Sequence, residues 1–107
     1  MSVEGKKKDD GKLRYDCVPD DAEREVVRVL TFGAGKYASG NWAHVPKARR
    51  RYSAALRRHV SAWRTGERVD PESGCHHLAH AICCALFLLA LDLRGKLPAE
   101  DEPDDPA

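Results

Sequence analysis

Residues 70–94 constrain the fold of this chain more than any other stretch: Asp-Pro-Glu-Ser-Gly-Cys-His-His-Leu-Ala-His-Ala-Ile-Cys-Cys-Ala-Leu-Phe-Leu-Leu-Ala-Leu-Asp-Leu-Arg. Asp70 suits a helix cap and Pro71 a first turn. Arg94 followed by Gly95 reads as a stop. Between them Leu78, Ile82, Ala85, Leu89 and Leu93 recur at helical spacing, and Cys84, Phe87 and Leu91 form a second row. A helix apolar on two sides must be covered on two sides, by its own domain and by a second chain. His77 and His80 continue the second row toward Asp70 and Glu72, so ionisable groups gather at the amino end of the most apolar helix.

At 107 residues the chain makes one small domain with a modest core. Its 18 Lys and Arg nearly balance 17 Asp and Glu, so net charge selects no partner. None of the four cysteines has the spacing of a zinc knuckle, and Cys83 and Cys84 adjoin on an apolar helix. Packing thiols in a reducing compartment are expected. The amino terminus has no secretory pattern, and the apolar run 81–91 is far short of the ~20 residues a bilayer requires. A cytoplasmic protein without a membrane partner is the expectation.

Three segments are expected. Residues 1–16 form a flexible arm in which Lys12 and Arg14 suit a phosphate group. Residues 17–95 form an all-α bundle of about three helices, completed by dimerisation. Residues 96–107 form an acidic, disordered tail. The first helix spans about 20–37, with Ala22, Val26, Val29, Leu30, Gly33 and Tyr37 on one face. Gly33 and Gly35 either allow close packing or end that helix early. The run Gly33-Ala34-Gly35-Lys36 lacks the spacing and the hydroxyl residue of a phosphate loop. Pro46 opens the second helix, which ends near Gly66 and carries Tyr52, Leu56, His59, Val60 and Trp63 as a buried stripe. Its many arginines either face solvent or meet phosphate.

Glu67, Asp70, Glu72, His76, His77 and His80 make the densest group of possible metal ligands. Positions three and four apart share a helix face, so His77 with His80, or His76 with His80, suit one ion. Carboxylates completing an oxygen-rich shell favour Mg²⁺ or Mn²⁺, and more imidazole favours Mn²⁺ or a later metal. The plainer reading is that these histidines are buried and hydrogen-bonded while the carboxylates cap the helix. His59 either faces the same cluster or packs in the core.

Several segments in order resemble the amino-terminal domain of phage dATP/dGTP diphosphohydrolases. They are Asp10-Gly11-Lys12-Leu13-Arg14-Tyr15-Asp16, Leu30-Thr31-Phe32-Gly33-Ala34-Gly35-Lys36-Tyr37, Asn41-Trp42, Arg58-His59, Gly66-Glu67, Asp70-Pro71-Glu72-Ser73-Gly74 and His77-Leu78-Ala79-His80-Ala81. That family is similar to the all-α MazG-like nucleotide pyrophosphohydrolases. The resemblance implies hydrolysis of a purine deoxynucleoside triphosphate to monophosphate and pyrophosphate with Mg²⁺ or Mn²⁺. It implies metal ligands among Glu67, Asp70, Glu72, His77 and His80, with Glu72 activating water. Lys12, Arg14, Lys36, Tyr37, Asn41, Trp42, Arg58 and His59 would then contact substrate, the cations balancing phosphate charge and the aromatics stacking on a purine. Two other readings stand beside it: an accessory or regulatory nucleotide-binding module without turnover that uses the same Lys, Arg and His residues, and, less favoured, a helical nucleic-acid-binding protein built on the arginine-rich second helix.

Overall fold

A computed structural model describes residues 3–99. Three α-helices carry the fold: α1 (Asp20–Lys36), α2 (Ala48–Arg64) and α3 (His77–Leu93). Short 3-10 turns occupy Tyr15–Cys17 and Asn41–His44. The described residues contain no strand, only an isolated antiparallel bridge between Val69 and His76. The all-α expectation therefore holds. Of the expected acidic tail, residues 100–107 lie outside the described residues.

α1 starts among Asp20, Asp21 and Glu23, whose charges complement its positive end. It runs to Lys36, and a Cβ on Gly33 or Gly35 would meet no atom within 4 Å, so neither glycine serves close packing or ends the helix early. α2 begins at Ala48 rather than Pro46, because Lys47 adopts a left-handed conformation (φ 54°) that no helical run continues through. α2 closes in a Schellman turn: the Gly66 amide donates to Trp63 O and the Glu67 amide to Ala62 O, with Gly66 at φ 108°. That turn delivers Glu67 immediately beyond the helix.

The third helix begins six residues later than the sequence suggests. Asp70 does not cap it; its Oδ1 accepts from the Glu72 amide, and its own amide donates to Cys75 O. This is an Asx-type turn closed by Gly74 at φ 73°. Residues that open a helix also build turns, and here the turn wins. The cap is His76, whose Nδ1 accepts from the Leu78 amide, which removes His76 from the expected pairing with His80. At the other end α3 stops after Leu93, with the Lys96 amide donating to Leu91 O. Residues 97 and 98 then follow α2, since Arg49 donates to Leu97 O and Pro98 O, both at 2.9 Å.

α3 is central, with α1 and α2 packed against it on different sides. Toward α1 lies the core of Val29, Cys75, Ala79 and Cys83, lined by Val26, Leu30 and Phe87. Toward α2, Tyr52 meets Phe87 and His59 meets both His77 and His80. The α2 stripe is half-buried at Tyr52, Leu56, His59 and Val60 and exposed at Trp63, so it is shallower than the spacing suggests. Small residues dominate the core, and Leu91 is its largest buried aliphatic side chain. Fully burying a leucine stabilises by roughly 1.5–3 kcal/mol, so a core of alanines and cysteines gains little per residue. Of the first apolar row of α3, Ile82, Ala85, Leu89 and Leu93 are exposed in the single chain while Leu78 is half-buried, and Leu86 adds to the exposed face.

Candidate functional site

The flanking arrangement of α1 and α2 leaves a cleft between them. A cavity of about 1010 Å³ is bounded by the carboxyl half of α1, the 39–42 turn and α2, with His80 and Phe87 of α3 also lining it. Nine of the residues expected from sequence line it: Lys36, Tyr37, Asn41, Trp42, Arg58, His59, Asp70, Glu72 and His80. Glu67 and His77 sit behind its wall and reach it through His59. Lys12 and Arg14 do not join: both are exposed on the amino-terminal arm, where Arg14 makes a bidentate pair with Asp16 at 2.7 and 2.6 Å.

Each side chain at the acidic end of the cleft is held by a definable local structure. His77 is nearly fully buried (5% exposed). Its Nε2 lies 2.6 Å from Glu67 Oε1, and its Nδ1 lies 2.9 Å from His59 Nδ1. The His59 and His80 rings stack with centroids 4.5 Å apart and planes 7° off parallel. His80 Nε2 is 2.6 Å from Ser73 Oγ and 3.6 Å from Asp70 Oδ2. Burial lowers the pKa of His59, and His80 and His77 lower it further. Burial likewise lowers His80, with Asp70 acting in the opposite sense. Both imidazoles are thus held toward the neutral form, which can donate a lone pair to a cation.

One ligand atom each from His59, Asp70 and His77 lies within 4.8 Å of the others. Imidazole and carboxylate together form a donor set that fits a divalent cation. His59, expected among the substrate contacts, thereby also enters the ligand cluster. Ser73 enters the sequence reading only within the segment 70–74, with no role of its own; a serine in a turn carries no spacing signal, and its contact follows only from the fold bringing it to His80.

The cationic and aromatic residues are placed differently from one another. The Lys36 ammonium pairs with the Glu72 carboxylate across the cleft mouth, which raises the lysine pKa. It also lies 5.3 Å from the centroid of the Tyr37 ring, which is 64% exposed. Trp42 stacks on Phe87 at 4.8 Å, with the Arg94 guanidinium 5.3 Å from its ring, so it anchors the 41–44 turn to α3. Its carbonyl accepts from Tyr52 Oη at 2.8 Å. Tyr37 is therefore the more available aromatic face.

Residues 2–101 match the family model described as dATP/dGTP diphosphohydrolase, N-terminal. The chain belongs to that family. A dATP/dGTP diphosphohydrolase of Salmonella phage PMBT28 is 34% identical over 87 residues, which cover 81% of this chain and 29% of that protein. The chain thus spans less than a third of its curated relative's length. No solved structure matches it. None of the helices among the described residues is long and apolar enough to cross a membrane.

Proposed function

We propose that this family domain hydrolyses a purine deoxynucleoside triphosphate to the monophosphate and pyrophosphate, with Mg²⁺ or Mn²⁺. The observation that carries the reading is the meeting, in one cleft, of Lys36 and Arg58 on two walls with Asp70, Glu72 and His80. Family membership supplies the substrate class. A triphosphate lying between α1 and α2 would draw Lys36 away from Glu72 and pair with it and with Arg58. Freed from its ion pair, Glu72 is the group positioned to take a proton from the attacking water. Attack at the α-phosphorus expels pyrophosphate, whose charge the same cations stabilise. A bound divalent cation would supply positive charge that neutralises the triphosphate and makes nearby water more acidic. Tyr37 would stack on the base.

The exposed row Ile82, Leu86, Leu89 and Leu93 supports pairing of two copies. One helix face meeting itself about a two-fold axis is self-complementary, and a second copy would cover these exposed aliphatic side chains.

The test is product analysis of the purified chain with each deoxynucleoside triphosphate and either cation. Monophosphate and pyrophosphate from dATP or dGTP, abolished in Glu72→Gln, support the enzyme. Saturable, cation-dependent binding without products would make it a nucleotide-binding module, a reading favoured by its covering only 29% of the phage relative.

A further inference from the structure

We infer that His59, His77 and Asp70 form a single nitrogen-rich cation site, with Glu67 as its positioning residue, and that it takes Mn²⁺ or a later divalent metal in preference to Mg²⁺. The argument begins with His77. Its Nε2 faces the Glu67 carboxylate at 2.6 Å, which only an N–H can satisfy, so the neutral ring carries its proton there. The Nδ1 lone pair of His77 is then aimed at His59, whose Nδ1 lies 2.9 Å away. Two imidazole nitrogens on adjacent vertices of one octahedral ion, each ~2.1 Å from it, are about 3.0 Å apart. The observed spacing matches this.

Asp70 adds the third donor, within 4.8 Å of both. Its Oδ1 accepts from the Glu72 amide at 2.9 Å, so the carboxylate is already oriented. Glu67 on the remote nitrogen of His77 reproduces the carboxylate–histidine–metal arrangement, which fixes tautomer and ring orientation and strengthens the lone pair. In the absence of a cation, the Nδ1 proton of His59 bridges the two rings. A bound cation would favour the other tautomer of His59, with its proton on Nε2, leaving both Nδ1 lone pairs free to serve as ligands. Two imidazoles against one carboxylate give a borderline donor set, which Mg²⁺ accepts poorly because it holds its waters and prefers oxygen. The site would serve the hydrolysis proposed above, but cation binding is measured without nucleotide, so either reading can fail alone.

The experiment is titration of the whole chain with Mn²⁺ alone, followed by electron paramagnetic resonance, with pulsed detection of ligand nitrogen in the loaded wild type. One Mn²⁺ per chain with nitrogen coupling is expected, displaced by Mg²⁺ only at large excess. His59→Ala and His77→Ala should each lose at least about tenfold in affinity, and Glu67→Gln about 10–100-fold while keeping the nitrogen coupling. Glu67 is half exposed, so that variant retains the fold, and melting curves verify it. Should His77→Ala unfold, the wild-type spectrum still decides. Bound Mn²⁺ without nitrogen coupling, equal affinity for Mg²⁺, no binding, or wild-type affinity in His59→Ala would each overturn the assignment.

Discussion

Gly74 and Gly33 should respond to the same substitution with opposite sign. Gly74 sits at φ 73° in the turn that carries Asp70 and Ser73 to the histidines. A Cβ there would meet nothing within 4 Å, so the whole penalty of Gly74→Ala is backbone strain. Placing an L-residue in that region costs roughly 1–2 kcal/mol, offset by ~0.4–1 kcal/mol from a less flexible unfolded chain. The net loss is about 1 kcal/mol. Gly33 lies within α1, and a Cβ there is equally unobstructed. Gly33→Ala should therefore stabilise by roughly 0.5–1 kcal/mol through helix propensity and reduced unfolded-state freedom. For a domain of this size each kcal/mol shifts Tm by about 4–8 °C, so the variants should melt on opposite sides of the wild type. Urea unfolding at constant slope supplies the free energies. Wild-type or higher stability in Gly74→Ala would refute the left-handed turn and the placement of Ser73 and Asp70 that depends on it.

The packing of α3 predicts a thiol pattern: Cys17 is exposed while Cys75, Cys83 and Cys84 are buried, and burial pushes the Cys83 thiol up to about 12. An aromatic disulfide reagent should modify one thiol in the native protein and three more only on unfolding; two or more fast native thiols would contradict the α1–α3 core. Tyr52→Phe removes the hydrogen bond to Trp42 O and should destabilise by ~1 kcal/mol. Burial raises the Tyr52 pKa from 10.0 to about 12, so its stabilisation is complete below about pH 10 and lost as pH rises toward 12. Melting curves of both proteins across that range should converge, and parallel curves would contradict the assignment. Leu89 is 56% exposed, so Leu89→Lys should leave helix content unchanged while abolishing a dimer in sedimentation velocity; an equally dimeric variant would move the interface elsewhere.

Periodicity revealed the helices because their apolar rows repeat faithfully, and Val26, Val29 and Leu30 do face α3. The start of α3 was not legible. Asp70, Pro71, Ser73 and Gly74 satisfy the local rules for a helix opening and for a turn equally well, and only the Val69–His76 bridge with the Asp70–Cys75 bond decides between them. Glu67, Asp70, Glu72, His77 and His80 were visible as a group because they are close in the chain. His59 was visible only as one residue of a helical stripe, since its approach to His77 depends on how α2 crosses α3. The partnership of Trp42 with Phe87 is equally a product of tertiary packing, and it turns an aromatic expected at a base into an anchor for the cleft wall.

The most direct measurement is turnover of dATP and dGTP by this chain in water enriched with heavy oxygen, with mass analysis of both products. The account predicts label in the deoxynucleoside monophosphate and none in pyrophosphate, because water attacks the α-phosphorus. Label in pyrophosphate, release of orthophosphate alone, or intact triphosphate with either cation would contradict hydrolysis by this domain as described.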